Sequence, residues 1–356
     1  MMALHPVAAG AMKIVLTLGM AFAAATLCVA WHTPLPWMIG PLLITAALSI
    51  LGMPTRSWTP LRNSAQWAIG AALGMYFTPQ VSTLVVSLWW VVGLSILWSL
   101  MLGYGFGWCL YWYNAPRFPG LDRVTTYFAS LIGGASEMTL LSERERARTD
   151  LVAAAHSLRI LLVTITVPVA MQWSGWHGVD VTAPVTRLFD AVGLLQFTLI
   201  TGAGAVAMKL LRRSNPWFLG PLVVSIALAT HEITLSGLPV WLTNAAQLVI
   251  GVSLGVRFTP GFLHTAPRWL LSVALGTLCM IGLCALSSLA LSALTDLPLA
   301  TLILASAPGG IAEMAITAKV LQLGVAVVTA LQACRVIAVL FLADPLFQWL
   351  RRRRLI

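Results

Sequence analysis

The hexapeptide GGASEM at residues 133–138 returns as GGIAEM at residues 309–314, 176 positions later. Each copy lies inside an apolar segment that otherwise suits a membrane helix. Glycine tolerates unusual φ angles and close approach of backbones, so a Gly-Gly pair favours a helix break. Hydrocarbon offers no partners to the backbone groups that a break frees. We therefore expect both segments to be interrupted where protein or a water-filled cavity satisfies the backbone.

Other motifs repeat in the same order along the chain. WMIGPL at residues 37–42 matches WFLGPL at residues 217–222, and Gln66 matches Gln247 at an offset of 181. Arg159 matches Arg335 at 176, the offset of the Gly-Gly pairs. Since the matches keep their order and involve Gly, Pro, Trp, Gln, Glu and Arg, they indicate an internal duplication. We predict a first membrane repeat over residues 13–175, a second over residues 187–350, and a basic tail at residues 351–356.

Charge is scarce in this sequence. Charged residues make up 9% of the 356 residues, against about 25% in a typical soluble domain, and the mean hydropathy is +0.89. This composition excludes a soluble enzyme, a disordered chain and a disulfide-rich secreted domain. The net charge of +10 is spread over short clusters between apolar runs, as in cytoplasmic loops, so no nucleic-acid partner is expected.

The positions of the basic residues predict the topology. We place the N-terminus in the cytoplasm and let each of the two Gly-Gly segments enter and leave on one side. Then 17 of the 19 Lys and Arg residues outside the membrane lie on the cytoplasmic side. Each half crosses five times, an odd number, so the second copy is inverted. We predict an all-α polytopic membrane protein with two inverted repeats, about ten transmembrane helices plus two interrupted or re-entrant segments. Both termini are then cytoplasmic.

Four charged residues lie inside the apolar segments. Glu137 and Glu313 follow their Gly-Gly pairs by three residues, and Arg159 and Arg335 lie 22 residues further on. Ionisable residues inside a membrane are costly unless they are paired or hydrated, which makes them functional candidates. In one interpretation each Glu binds a cation or proton or lines the solute path, and each Arg neutralises it or binds a substrate carboxylate. In the other, the residues form two internal ion pairs that lock the repeats together.

Polar residues near these charges complete the candidate binding site. Gln66 and Gln247 each begin a short Gly-x-x-x-Gly helix, whose spacing allows close packing; their amides either line a polar path or bond between helices. His156 precedes Arg159 by one turn and could relay protons, but its counterpart is Gln332. The predicted substrate- or ion-binding residues are Glu137, Glu313, Arg159, Arg335, Gly133, Gly134, Gly309, Gly310, Ser136, Gln66 and Gln247.

Catalytic and cofactor motifs are absent from the sequence. No zinc-binding pattern, Walker loop or cluster of His and Cys is present, so we expect no enzyme activity, no metal and no cofactor. Ser136 at the first break has Ala312 as its counterpart, which argues against a symmetric role for the hydroxyl.

The Trp-x-x-Gly-Pro-Leu element, the Gly-Gly-x-x-Glu-Met element and the downstream Arg resemble the membrane AbrB family, from about residue 13 to residue 350. The resemblance implies an integral inner-membrane protein with a link to regulation of gene expression, distinct from the soluble DNA-binding regulator of the same name. Members of the family have also been labelled ammonia monooxygenases. At fold level the family is similar to inverted-repeat cation/proton antiporters and anion symporters, where Glu137 and Glu313 would match the ion site.

Three functions stay open on the sequence alone. The leading expectation is a secondary transporter or permease for a small solute, with ion or proton coupling left open. The alternative is a membrane regulator or sensor that affects gene expression without transport, and an ammonia-oxidising enzyme is the third. The expected partners are the lipid bilayer and a small solute or ion, and formation of a homo-oligomer is also left open.

Overall fold

The computed structural model describes residues 6–116, 118, 120–176, 189–211, 213, 215–260 and 267–353. Within these ranges the chain forms fifteen α-helices and no strand, which confirms the all-α prediction. The helices are α1 (Pro6–Ala30), α2 (Pro36–Ile50), α3 (Thr59–Gly74), α4 (Pro79–Ser87), α5 (Trp89–Asn114), α6 (Arg123–Ser130), α7 (Ala135–Arg144), α8 (Thr149–Trp173), α9 (Ala191–Leu210), α10 (Pro216–Thr230), α11 (Val240–Gly255), α12 (Pro267–Leu294), α13 (Leu299–Ser306), α14 (Ile311–Val320) and α15 (Val325–Arg352).

Several of the helices have the length and apolar surface of membrane spans. In the described ranges six helices qualify (α1, α5, α8, α9, α12 and α15), or seven if α3 and α4, bent by 88°, count as one span. The apolar stretch of α1 is only 17% buried by the protein, so its exposed side chains require a lipid environment. Helices α2, α10 and α11 are apolar but have only 15 or 16 residues, about 22–24 Å of helix. The chain is thus an all-helical protein of membrane type, while ten spans and inverted repeats stay predictions.

The helices form two compact units, and each unit combines parts of both halves of the chain. Unit 1 comprises residues 1–83 and 179–262, and unit 2 comprises residues 84–178 and 263–356. Each half therefore gives its first three helices to unit 1 and its later helices to unit 2, except that the boundary between residues 83 and 84 falls inside α4. The predicted repeats divide the sequence in the middle, whereas the compact units cut across that division.

Unit 1 is held together by helices that approach at glycines. Helix α3 packs on α10, and a Cβ on Gly70 would collide with the carbonyl oxygen of Phe218. Helix α11 packs on α2, and a Cβ on Gly251 would meet the carbonyl oxygen of Met38 in the same way. Gly70 and Gly251 are matching positions of the predicted repeats, as are Met38 and Phe218. The Trp-x-x-Gly-Pro-Leu helix of each half thus packs on the Gly-x-x-x-Gly helix of the other, which supports the predicted duplication.

Unit 2 contains a break at each Gly-Gly pair, at the predicted positions. Helix α6 ends at Ser130 and α7 begins at Ala135, so four residues separate them. Helix α13 ends at Ser306 and α14 begins at Ile311, again with four residues between them.

The substitution Gly70→Ala tests the packing of unit 1. The added methyl group would meet the backbone of α10, and overpacking of this kind costs about 1–3 kcal/mol. We expect a lower midpoint of thermal unfolding for the protein purified in detergent. Gly202→Ala in α9 is the matched control, because nothing lies within 4 Å of a Cβ at that position. Equal midpoints for the two variants would contradict the close approach of α3 and α10.

Candidate functional site

Side chains of α8 bind the carbonyl groups that α6 leaves free at its C-terminal end. The last carbonyls of a helix have no partner within it. Arg159 donates from Nη1 to the carbonyl oxygen of Ser130 (2.9 Å) and from Nη2 to that of Leu131 (2.6 Å). The Nε2 atom of His156 lies 2.9 Å from the carbonyl oxygen of Phe128. The guanidinium of Arg159, a residue only 3% exposed, is thus stabilised by carbonyl dipoles and by the negative end of a helix.

The second break is held in the same way by α15. Arg335, which is 2% exposed, donates from Nη1 to the carbonyl oxygen of Ala307 (2.7 Å) and from Nη2 to that of Gly309 (2.9 Å). Gln332 donates from Nε2 to the carbonyl oxygen of Leu304 at 2.8 Å. Both arginines therefore donate hydrogen bonds to backbone carbonyl groups at a helix break. None of the hydrogen bonds described for these arginines joins an Arg to a Glu, as the interpretation with two internal ion pairs would require.

His156 and Gln332 occupy matching positions and make the same kind of contact with the neighbouring arginine. Nη2 of Arg159 lies 2.7 Å from Nδ1 of His156, and Nη2 of Arg335 donates to Oε1 of Gln332 at 2.6 Å. An arginine only donates, so Nδ1 must accept and the ring proton sits on Nε2, from which it is donated to the backbone. The ring is then neutral, like the amide of Gln332. A proton added to Nδ1 would break this bond, so the geometry favours a positioning role over a proton relay.

Each glutamate folds back onto the second glycine of its Gly-Gly pair. Glu137 and Glu313 are the third residues of α7 and α14, and Gly134 and Gly310 are the corresponding N-caps. A Cβ on either glycine would collide with Oε2 of the glutamate that follows it. Negative charge is favourable at a helix N-terminus, where backbone N–H groups lack partners. Glu313 is 8% exposed and Glu137 is half-buried.

Space for neighbouring side chains, rather than an unusual backbone angle, is what glycine provides at the breaks. The second glycines have φ angles of −66° and −79°, which any residue adopts. A Cβ on Gly133 would lie 2.9 Å from Cε of Met138, and one on Gly309 would lie 3.0 Å from Cε of Met314 and 2.9 Å from Cγ1 of Val163 in α8. The expectation that unusual φ angles favour glycine here is therefore wrong. The Gly-Gly-x-x-Glu-Met motif is a local packing unit, with one glycine against the methionine and the other against the carboxylate.

The structure separates the predicted site residues into two groups. Unit 2 holds the four charged residues and the four glycines of the breaks. Gln66, which is half-buried, and Gln247, which is 7% exposed, belong to α3 and α11 in unit 1. The side chain of Ser136, and the basic residues used for topology at Arg117, Arg187, Arg212 and Arg354, lie outside the described residues.

His156 and Gln332 are missing from the predicted site. Each lies three residues before an arginine on one helix, and this spacing places the two side chains on the same face. That spacing made His156 a candidate proton relay in the sequence, whereas in the structure His156 and Gln332 are partners of the arginines.

The described part of the chain contains no candidate metal site. There, no three His, Cys, Asp or Glu side chains come together in a way that could hold a metal ion.

These observations define a helical, membrane-type protein in which two broken helices are held by buried arginines. A family model described as transition state regulatory protein AbrB matches residues 37–351, so the chain belongs to the AbrB family, as its motifs indicated. The chain is 26% identical over 345 residues to the "Uncharacterized protein YhjN" of Bacillus subtilis strain 168, an alignment covering 88% of this chain and 87% of the relative. It is also 26% identical over 313 residues to the "Putative regulator AbrB" of Escherichia coli strain K12, covering 87% of this chain and 88% of the relative.

Substitution of His156 tests the shared role of His156 and Gln332. His156→Gln should unfold close to the wild-type temperature, because the amide accepts from Arg159 and donates to the Phe128 carbonyl as Gln332 does in the other half. His156→Leu removes both bonds from a buried site and should lower the free energy of unfolding by about 1–3 kcal/mol. Thermal unfolding of the purified variants measures the difference. If both variants lose the same stability, the two residues do not share a role.

Proposed function

We propose that the protein is a secondary transporter for a small solute and that the two helix breaks of unit 2 form its binding site. The observation that carries this proposal is the presence, in one compact unit, of two broken helices with Glu and Arg at matched positions. Non-helical backbone in a membrane is tolerated where protein covers it or where it lines a cavity. In secondary transporters, paired breaks of this kind direct helix-end charges at a solute or ion.

The two ends of each break have different tasks in this proposal. The arginines occupy the carbonyl ends of α6 and α13, so these carbonyls are not free to coordinate a cation. A coupling cation or proton would therefore bind the carboxylates of Glu137 and Glu313. These carboxylates lie at the N-terminal ends of α7 and α14, where the positive end of the helix dipole favours a negative charge.

A regulatory role without transport is the alternative, and the printed name of the Escherichia coli relative is what favours it. A direct regulator needs a surface outside the membrane on which a partner can bind. Most of the described helices follow one another closely, for example with only residues 31–35 between α1 and α2, and the longest separation is residues 174–190 between α8 and α9. An effect on gene expression would then arise indirectly, from a transported metabolite that a separate regulator senses.

Reconstitution of the purified protein into vesicles separates these functions. Uptake driven by a pH or ion gradient, measured over a panel of metabolites, would support transport. Absence of flux with every solute, together with a stable complex with a cytoplasmic regulator, would favour the regulatory alternative. Metal analysis of the same sample tests the enzyme that the family label suggests.

Neutralising the carboxylates tests the ion site. Glu137→Gln and Glu313→Gln should each lower gradient-driven uptake by about tenfold or more, because the amide cannot release or bind the coupling charge. Each variant should still be purified from the membrane with near wild-type unfolding behaviour. Glu143→Gln is the matched control, since Glu143 is an exposed residue of the same helix α7. Loss of folding rather than of flux in both variants would mean that the glutamates have a structural role.

The glycine against each carboxylate gives a second test that leaves the glutamate in place. Gly134→Ala should displace the carboxylate of Glu137 and reduce uptake in the same direction as Glu137→Gln. Gly282→Ala in α12 is the control, because a Cβ there meets nothing within 4 Å. Wild-type uptake by Gly134→Ala would show that the position of the carboxylate at the helix end does not matter.

A further inference from the structure

Unit 2 contains a cavity of about 440 Å³ that is open at the surface, with most of its large apolar side chains exposed, and that reaches both helix breaks. Helices α5 and α12 form its walls. Its floor is formed by Ile132 of the first break, by Ala305 and Ser306 at the end of α13, and by Arg335 of α15. The volume lies within the range of about 300–1,000 Å³ that is typical of small-molecule sites.

The walls and the floor differ in chemistry. Large apolar side chains predominate on the walls, among them Leu94, Leu97, Met101, Leu286, Leu291 and Leu294. Three of the residues that line the cavity carry a buried hydrogen-bond donor without a partner in the described structure: Nε1 of Trp98, Oγ of Ser99 and Nε of Arg335. Ser99 is 4% exposed and Arg335 is 2% exposed.

Unpartnered buried donors are rare in proteins and call for an explanation. All three groups can donate, so a ligand beside these residues would satisfy them by bringing an acceptor within hydrogen-bond distance. The other N–H groups of Arg335 are bonded to Gln332 and to the backbone carbonyls of the break, which are neutral. A ligand with acceptor oxygens and a negative charge would meet both the free donor and the buried positive charge.

We propose that this cavity binds an organic anion with an apolar body, such as a carboxylate on a hydrocarbon chain. The carboxylate lies near Arg335, Ser99 and Trp98, and the hydrocarbon lies between α5 and α12. This inference rests on the proposed function, because it makes the anion the transported solute. Arg335 also binds the carbonyl of Gly309, so an anion at this arginine is in direct contact with the group that holds the second break.

Binding of radiolabelled octanoate to the full-length protein in lipid nanodiscs tests the proposal without transport. We expect saturable binding that unlabelled octanoate displaces. Octan-1-ol, which has the same body without the charge, and acetate, which has the charge without the body, should compete much more weakly. Equal competition by octan-1-ol would overturn the proposal, because it would indicate an apolar groove alone.

Two substitutions remove cavity donors without breaking a described hydrogen bond. Ser99→Ala and Trp98→Phe should each weaken octanoate binding by roughly tenfold, the effect of one lost hydrogen bond to a charged group. The matched control is Ser82→Ala, which removes another buried and unpartnered hydroxyl outside the cavity and should leave binding unchanged. Unchanged affinity in both cavity variants would overturn the proposal, and no result depends on whether an Arg335 variant folds.

The source of the anion and the link to transport are tested in the same system. If phosphatidylglycerol occupies the site and octanoate shows no saturable binding, the cavity is a lipid site and the proposal is wrong. Saturable octanoate binding without uptake would support the site and count against the transport function. Uptake of an uncharged solute without octanoate binding would support transport and overturn the site.

Discussion

A buried peptide carbonyl needs a hydrogen-bond donor, and this requirement governs the two helix breaks of unit 2. A buried polar group without a partner costs up to several kcal/mol. Arg159 and Arg335 supply the donors, and His156 and Gln332 hold the arginines in place. The dependence is mutual, because a buried guanidinium is itself costly without carbonyl partners. The break and its arginine therefore stabilise each other, and the ends of α7 and α14 keep their N–H groups for the glutamates.

The two compact units differ in what they contain: closely packed helices with glycine contacts in unit 1, and the charged residues of the predicted site in unit 2. Unit 1 is built on glycines that let α3 approach α10 and let α11 approach α2, and dense van der Waals contact is what holds helices together in lipid. Unit 2 contains both breaks, the four charged residues of the predicted site and the cavity with its unpartnered donors. Each predicted repeat contributes helices to both units, so neither half of the sequence would contain a complete site.

Much of this arrangement could be predicted from the sequence, and the rest depends on contacts across long separations. Composition predicted the all-α membrane class, and the paired motifs predicted where the helices break, because apolar runs and Gly-Gly pairs act locally. The partners of Arg159 could not be predicted. A spacing of 22 residues from Glu137 suggests a Glu–Arg ion pair, but it does not indicate which backbone carbonyls the Arg159 side chain contacts. The two compact units could not be predicted either, because helices of one half of the sequence pack on helices of the other half. The part of the glycine argument that rests on unusual φ angles was wrong, since the side-chain space that these glycines leave is visible only once Glu137 and Met138 are placed.

The transport proposal depends on the breaks being stable features of the membrane-embedded protein rather than frayed helices. Hydrogen–deuterium exchange of the Arg335→Met variant in nanodiscs tests this most directly. If Arg335 holds the second break, the amides of residues 299–311 should exchange at least about tenfold faster than in the wild type, which corresponds to about 1.4 kcal/mol of lost protection. The amides of residues 59–74 in unit 1 should be unchanged. Wild-type exchange across residues 299–311 in this variant would contradict the account, because the break would then be stable without the arginine.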